Sequence, residues 1–259
     1  MSVKNNWIII NDEYQPKLLE EKVWSEIQSL PKHNYRGFKN KEEAEVVFEK
    51  LSAADLEPNS QKAEEKIEEN IANLQDGQVM IFTDGSYKDQ EPKRYGAGWG
   101  YVSLYKENGK LSEYPDHGYF LDSKLRQVSG EIEAVKQALS KACTSHFTKV
   151  DLYCDFLNLI LWDSGFYQTT EDVSKEFVES MKDYHTKLDI TFHWAPSHEG
   201  IKYNDEADIE AKVGFSEVPT NNELYGELND LQEKVANHQD DNKKSEIRIE
   251  KIKKILDIE

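Results

Sequence analysis

Four acidic residues stand in settings that could do chemistry together. Asp84 ends the apolar run at 81–83 and is followed by Gly85 and Ser86, which read as a tight turn. Glu131 opens the stretch Gly-Glu-Ile-Glu-Ala-Val at 130–135, and Asp155 closes Asp-Leu-Tyr-Cys-Asp at 151–155. Asp208 ends Lys-Tyr-Asn-Asp-Glu-Ala-Asp at 202–208. Two of these acids end strands and two sit on helices. Carboxylates delivered from four separate elements are a donor set for a pair of hard divalent cations. Oxygen ligands suit Mg²⁺ or Mn²⁺, and no Cys or His cage accompanies them. Two such ions suit phosphodiester chemistry. Without cations, a buried carboxylate cluster repels itself, so raised pKa values are expected.

The elements that must position these acids follow from hydrophobic periodicity. Strands are predicted at 79–83, 96–105, about 112–120, 150–154 and 190–194. Helices are predicted at 130–142, 156–162, 172–187 and 204–213. Three strands followed by alternating helix and strand imply an α/β fold, a mixed five-stranded sheet flanked by helices. Helix faces then sort neighbouring acids. Glu131 shares a stripe with Val135, Ala138 and Ala142, whereas Glu133 shares one with Lys136, Gln137 and Ser140. Glu131 therefore faces inward and Glu133 faces solvent. Asp208 lies on the side of Ala207 and Ala211, which favours it over Asp205, a first-turn acid suited to the helix dipole.

Four segments divide the chain. Residues 1–53 form a small α+β module, with strands at 7–10 and 35–38 and helices at 18–30 and 41–51. Residues 54–77 read as an acidic linker, partly helical around 62–74, and 78–215 as the main α/β domain. Residues 216–259 read as a helical extension. Leu224, Leu228, Leu231 and Val235 there, and Ile249, Ile252 and Leu256, have heptad-like spacing. Such a seam is a surface for self-association or protein contact, or the two helices pack on their own domain.

The formal charge is −18, made up of −1 over 1–53, −5 over 54–77, −8 over 78–214 and −4 over 215–259. That balance opposes nucleic-acid binding, which normally draws on Lys and Arg. Cations bound by the four acids would offset part of it. No apolar run approaches the length of a membrane span and residues 1–7 lack a signal-type core, so a cytoplasmic location is expected. Cys143 and Cys154 read as reduced, buried thiols.

These motifs together resemble the type 1 ribonuclease H family. The Asp-Gly-Ser strand, Gly-Glu helix start, Tyr-x-Asp strand end and His…Asn-x-x-x-Asp close fall in the family's order over residues 78–214. The resemblance implies a ribonuclease H-like fold with Asp84, Glu131, Asp155 and Asp208 as ligands of two Mg²⁺ ions, Mn²⁺ being possible. It implies hydrolysis of the RNA strand of RNA:DNA hybrids, leaving 5′-phosphate and 3′-hydroxyl ends. His198, in Pro-Ser-His-Glu-Gly, matches the family's loop histidine and is assigned to proton transfer or product release. Gly85, Ser86, Lys124, Arg126, Gln127, Ser129 and Asn204 are the candidate substrate contacts. Val128 departs from the polar residues usual before the Gly-Glu helix. The interval from Asp155 to His198 is too short for the basic helix with which some members grip substrate.

Residues 34–45 resemble the hybrid-binding, viroplasmin-like domain that commonly precedes this nuclease. Trp7, Trp24, Tyr35, Arg36 and Phe38 match its positions, although its basic Gly-containing loop is replaced by residues 11–17. Aromatic and cationic side chains together suit a sugar face and a phosphate. Deleting 1–53 would then raise KM more than it lowers kcat. Two alternatives are a non-catalytic hybrid- or RNA-binding protein on the same scaffold, and another nuclease of the ribonuclease H-like superfold.

Overall fold

A computed structural model describes residues 4–31, 34–89, 91–121, 127–197, 199–237 and 242–258. The N-terminal part holds β1 (Asn6–Ile10), β2 (Pro16–Leu19), α1 (Trp24–Gln28), β3 (Asn34–Phe38) and α2 (Lys41–Ala53). Its sheet runs β2-β1-β3, antiparallel throughout. The helix predicted at 18–30 is not formed as such. Leu18 and Leu19 pair in register with Ile8 and Trp7, and only the five residues of α1 are helical. Tertiary pairing to β1 outweighs the local spacing that suggested one long helix. α2 starts where Asn40 accepts hydrogen bonds from the amides of Glu42 and Glu43.

The segment read as a linker contains α3 (Ser60–Asn73), capped by Asn59. Ala63, Ile67 and Leu74 pack with Met80, Phe82, Tyr153 and Ile201, so this stretch lies against the main sheet. Ahead of it, Asp55 joins the sheet edge: its amide donates to Phe192 O at 2.9 Å, and the Trp194 amide donates to Asp55 O at 2.8 Å. The Asp55 carboxylate faces His193 at 3.8 Å and accepts from Lys66 Nζ at 2.7 Å. The His193 contact and the Lys66 ammonium together hold Asp55 down to about 2.

The main sheet contains β4 (Gln78–Ser86), β5 (Ala97–Glu107), β6 (Lys110–Phe120), β7 (Lys149–Cys154) and β8 (Asp189–Trp194). Their order is β6-β5-β4-β7-β8, with β7 and β8 parallel to β4 and with β5 antiparallel to both β4 and β6. This is the five-stranded mixed sheet predicted. α4 (Gln127–Thr144), α5 (Asn158–Asp163) and α6 (Asp172–His185) contribute Ile132, Val135, Leu159, Phe177 and Met181 to one core, shared with Ile81 and Leu152 of the sheet. α7 (Lys202–Ser216) covers the opposite face beside α3, burying Tyr203 and Ala207.

The N-terminal module is not a separate body. Ile8, Ile10, Phe38, Val47 and Leu51 belong to the same buried cluster as Ile160, Phe166 and Phe192 of the main domain. The ring of Tyr14 lies 4.5 Å from that of Trp194 at the end of β8.

The extension forms α8 (Asn221–Ala236) and α9 (Asn242–Leu256), a hairpin in which Leu224, Leu228, Ile249, Ile252 and Leu256 bury one another. Of the two readings of the apolar seam, an intermolecular surface or packing within the chain, the structure shows the second, with the seam filled by the hairpin itself. Thr220 and Glu223 close a capping box at the start of α8. Among the described residues, no helix is long and apolar enough to cross a membrane.

Candidate metal centre

β4 carries Asp84 to the edge of the site, and its local form differs from the turn predicted. Asp84, Gly85 and Ser86 remain extended, in register with Gly100, Trp99 and Gly98 of β5. Gly85 is required for a packing reason. A Cβ there would overlap the backbone of Gly130 and Glu131 at the first turns of α4. The missing side chain lets α4 descend onto β4 and brings Glu131 beside Asp84. β7, paired with β4 in parallel from Gln78–Lys149 to Thr83–Cys154, delivers Asp155 one residue beyond its end.

Oxygens of Asp84, Glu131 and Asp155 lie within 4.8 Å of one another. Asp84 is 3% exposed and Glu131 is 2% exposed. The Gly85 amide donates to Asp84 Oδ1 at 2.6 Å, while Glu131 Oε2 has no hydrogen-bond partner. Burial and the neighbouring charges of Asp155 and Asp208 push Asp84 up to about 7. Burial, then Asp84 and Asp155, drive Glu131 well above the ordinary carboxylate range. Cys154, buried against Asp155 and Glu131, is likewise raised and stays a thiol.

Asp208, on α7, is close enough to act on Asp84, yet it lies outside the three-carboxylate group. It accepts a hydrogen bond from Lys212 one turn further on, a favourable acid-to-base order along a helix. The helix-face argument for α4 holds in part. Glu133 stays outside the three-carboxylate group, accepting from Gln137 at 2.6 Å and from Lys136 at 3.4 Å, but its side chain is only 13% exposed and does not face solvent as expected. Glu133→Gln should leave turnover within about twofold, since Gln can keep the contact with Gln137 and no ligand is lost. Glu131→Gln should inactivate; initial rates on one substrate compare the two.

The donor set fits divalent metal. Three hard oxygen donors converge, one buried oxygen lacks a partner, and the group resists full ionisation without positive charge nearby. Of the described buried side-chain atoms without a partner, Glu131 Oε2, Ser129 Oγ and Asn204 Oδ1 all belong to residues singled out above; Glu64 Oε2 and Asn221 Oδ1 do not. Gln127 is exposed at the start of α4, Ser129 is buried two residues before Glu131, and Ser86 is 7% exposed. Lys124, Arg126 and His198 lie outside the described residues.

Two supports of Asp155 escaped the sequence reading. Ser197 Oγ donates to Asp155 Oδ2 at 2.6 Å, and Trp194 Nε1 donates to the Asp155 carbonyl at 2.9 Å. Ser197 stands beside His198 in a motif already singled out, so its hydroxyl was a readable signal; nothing local marks Trp194. Outer partners that orient a ligating carboxylate typically contribute about 10–100-fold in metal affinity. Ser197→Ala should weaken divalent-ion binding by about tenfold, as read by calorimetric titration.

In the N-terminal module, Trp7 and Phe38 are core residues, 6% and 2% exposed. Trp24 and Tyr35 are exposed at 40% and 47%, with ring centroids 4.9 Å apart, and Trp24 stacks on Trp7. The Arg36 guanidinium lies 4.7 Å over the Phe38 ring.

Comparison with known proteins agrees with this architecture. The family model for RNase H matches residues 76–216, more than half of the 259-residue chain. No curated protein sequence matches. Among solved structures, the RNase H1 of the halophilic archaeon Halobacterium salinarum is 17% identical, covering 54% of this chain and 98% of its own, with a TM-score of 0.45. The N-terminal RNase H domain of a Mycobacterium tuberculosis protein is 17% identical over 54% of this chain and 94% of its own, with a TM-score of 0.43. LC11-RNase H1, isolated from compost by a metagenomic approach and solved with an RNA/DNA hybrid, is 19% identical over 53% and 96%, with a TM-score of 0.43. With its sheet order, its converging carboxylates and a family match across the whole main domain, this chain belongs to the RNase H family.

Proposed function

We propose that this protein is an endoribonuclease that hydrolyses the RNA strand of RNA:DNA hybrids, leaving 5′-phosphate and 3′-hydroxyl ends. The observation that carries this reading is the meeting of Asp84, Glu131 and Asp155 within 4.8 Å at the strand ends of an RNase H domain. Together with Asp208 they would hold two divalent cations, Mg²⁺ or Mn²⁺. Ions held there would supply activation of a water and stabilisation of the leaving 3′-oxygen in an in-line displacement.

The remaining work falls to the chain's own side chains. Ser197 and Trp194 fix Asp155 from its side chain and its backbone. The Gly85 amide fixes one oxygen of Asp84, and Glu131 stands against the same carboxyl group. Lys212 donates to Asp208 and offsets its charge, and that carboxylate would be shared with a bound cation. Gln127, exposed at the start of α4, offers a polar contact to a minor groove, where 2′-hydroxyls distinguish RNA from DNA, whereas Gly85, Ser86, Ser129 and Asn204 are buried behind it. Lys124 and Arg126 add phosphate contacts, and His198 moves a proton or assists product release. The exposed pair Trp24 and Tyr35, beside Arg36, is the part of the N-terminal module suited to a sugar face.

Gel analysis of end-labelled hybrid, double-stranded RNA and double-stranded DNA, with Mg²⁺ or with chelator, tests the reading. Cleavage confined to the RNA of the hybrid and abolished by chelator is expected. Binding without cleavage would instead identify a non-catalytic hybrid-binding protein, and cutting of DNA would identify another nuclease of the superfold.

A further inference from the structure

Charge is distributed unevenly along this chain. In a protein of formal charge −18, α9 carries Lys243, Lys244, Arg248, Lys251, Lys253 and Lys254 against Glu246 and Glu250. Among the described residues it is the only helix with a basic excess. Arg248 is committed to Glu227, with two hydrogen bonds of 2.6 and 2.8 Å. Lys244, Lys251 and Lys254 are exposed and share one stripe of the helix, opposite the buried Ile249, Ile252 and Leu256. Among the described residues no carboxylate forms an ion pair with any of these three lysines. The stripe spans about 15 Å of helix axis, comparable with about four phosphate spacings of one duplex strand.

The position of this helix matters as much as its charge. Ile255 packs with Tyr87, Leu121, Phe215 and Val218, placing the end of α9 where β4 and β6 finish. Lys254 lines a cleft with Ser129 and Lys136 but also with Glu133, Glu171, Asp172 and Glu176, so a phosphate strand would meet its ammonium at the rim and not inside that acidic cleft. Ser129 precedes Glu131 by two residues on α4. The C-terminal end of the stripe, at Lys254, therefore lies at the carboxylate end of the sheet, and the stripe runs back from there along α9 to Lys244.

We propose that Lys244, Lys251 and Lys254 form a phosphate-contact surface that holds a nucleic-acid strand beside the start of α4. This rests on the hybrid-hydrolase reading and names the grip that the short interval after Asp155 leaves unsupplied. Lysines there act as point charges on phosphodiester oxygens and set affinity, not sequence preference. A membrane surface fits less well. The apolar face of α9 is buried against α8, and its exposed stripe offers only Ile247, 63% exposed, for insertion.

The test uses the full chain and a triple variant, Lys244→Gln, Lys251→Gln and Lys254→Gln. A charge-matched control replaces Lys50, Lys110 and Lys187, which lie toward the opposite end of the sheet. Hybrid binding is measured by fluorescence anisotropy in Ca²⁺ over a salt series, and KM and kcat are measured in Mg²⁺. The triple variant should bind at least about tenfold more weakly, and its salt slope should fall by about 2.7, near 0.9 per lost phosphate contact. KM should rise in step while kcat changes far less, and the control should match the parent in slope and affinity. An unchanged salt slope and Kd in the triple variant overturn the proposal. So does loss of binding to phosphatidylserine–phosphatidylcholine vesicles with hybrid binding intact. A parent chain that neither binds nor cuts hybrid overturns the hydrolase reading and this one together, whereas a parent that cuts while the triple variant binds normally sinks only the lysine stripe.

Discussion

Asp84→Asn is expected to abolish hybrid cleavage and, at the same time, to stabilise the protein in the absence of divalent ions. The first effect follows from removing one of three converging metal donors. Its size should exceed the roughly 10–100-fold lost when only an outer partner of a ligand is removed. The second effect follows from electrostatics. Burial, the charge of Asp155 and that of Asp208 raise Asp84 from an ordinary 3.8 to about 7 in the folded state. Between those values the native protein holds a proton that the unfolded chain has released. Stability therefore falls as pH rises through that window, and the penalty is largest above it.

A neutral asparagine removes this penalty. In chelator, the variant's Tm should exceed that of the parent by several degrees at mildly alkaline pH, and the two should converge in acid. Mg²⁺ should raise the parent's Tm, because binding to the native state alone stabilises it, and should raise the variant's much less. Thermal melts at two pH values with and without Mg²⁺, alongside initial rates, read both effects. Retained turnover would remove Asp84 from the ligand set, and an unchanged metal-free Tm would mean the cluster is not self-repulsive.

Deleting residues 1–53 is expected to destabilise the whole chain, which differs from the KM effect that a tethered hybrid-binding module would show. Ile8, Ile10, Phe38, Val47 and Leu51 sit in one buried cluster with Ile160, Phe166 and Phe192. Removing them uncovers large apolar side chains of the nuclease domain, each worth about 1.5–3 kcal/mol of burial. A net loss on the order of 5 kcal/mol is comparable with the total stability of many domains. That corresponds to a drop of about 10–20 °C in Tm for a chain of this size, or to aggregation. The truncated chain also loses Tyr14 from against Trp194, whose indole holds the Asp155 carbonyl. A truncated chain with unchanged Tm and altered KM alone would restore the picture of a mobile accessory module.

Much of this molecule was readable from residue order. Acids placed after apolar β runs marked Asp84 and Asp155, although β4 itself continues two residues past Asp84 to Ser86. The 3.6-residue stripe of α4 separated Glu131 from Glu133, and the structure buries the first while Lys136 and Gln137 hold the second. Five strands and their order of appearance suggested the mixed sheet. These are local signals, carried by neighbours in the chain.

Tertiary structure decided the rest, because it depends on which surfaces meet. Residues 18–19 have helical spacing, yet they pair with β1. Asp-Gly-Ser is a turn by composition, yet it stays extended because Gly85 must admit the backbone of α4. The acidic stretch at 54–77 looked solvated until Ala63, Ile67 and Leu74 found Met80 and Phe82. Asp208 was read together with the other three acids; in the fold it accepts from Lys212, outside the three-carboxylate group, while its charge acts on Asp84. Residue types can announce a cluster of carboxylates. Which oxygens share a site depends on how closely two helices can approach a sheet, and here Gly85 admits α4 while Gly98 and Gly100 of β5 admit α7.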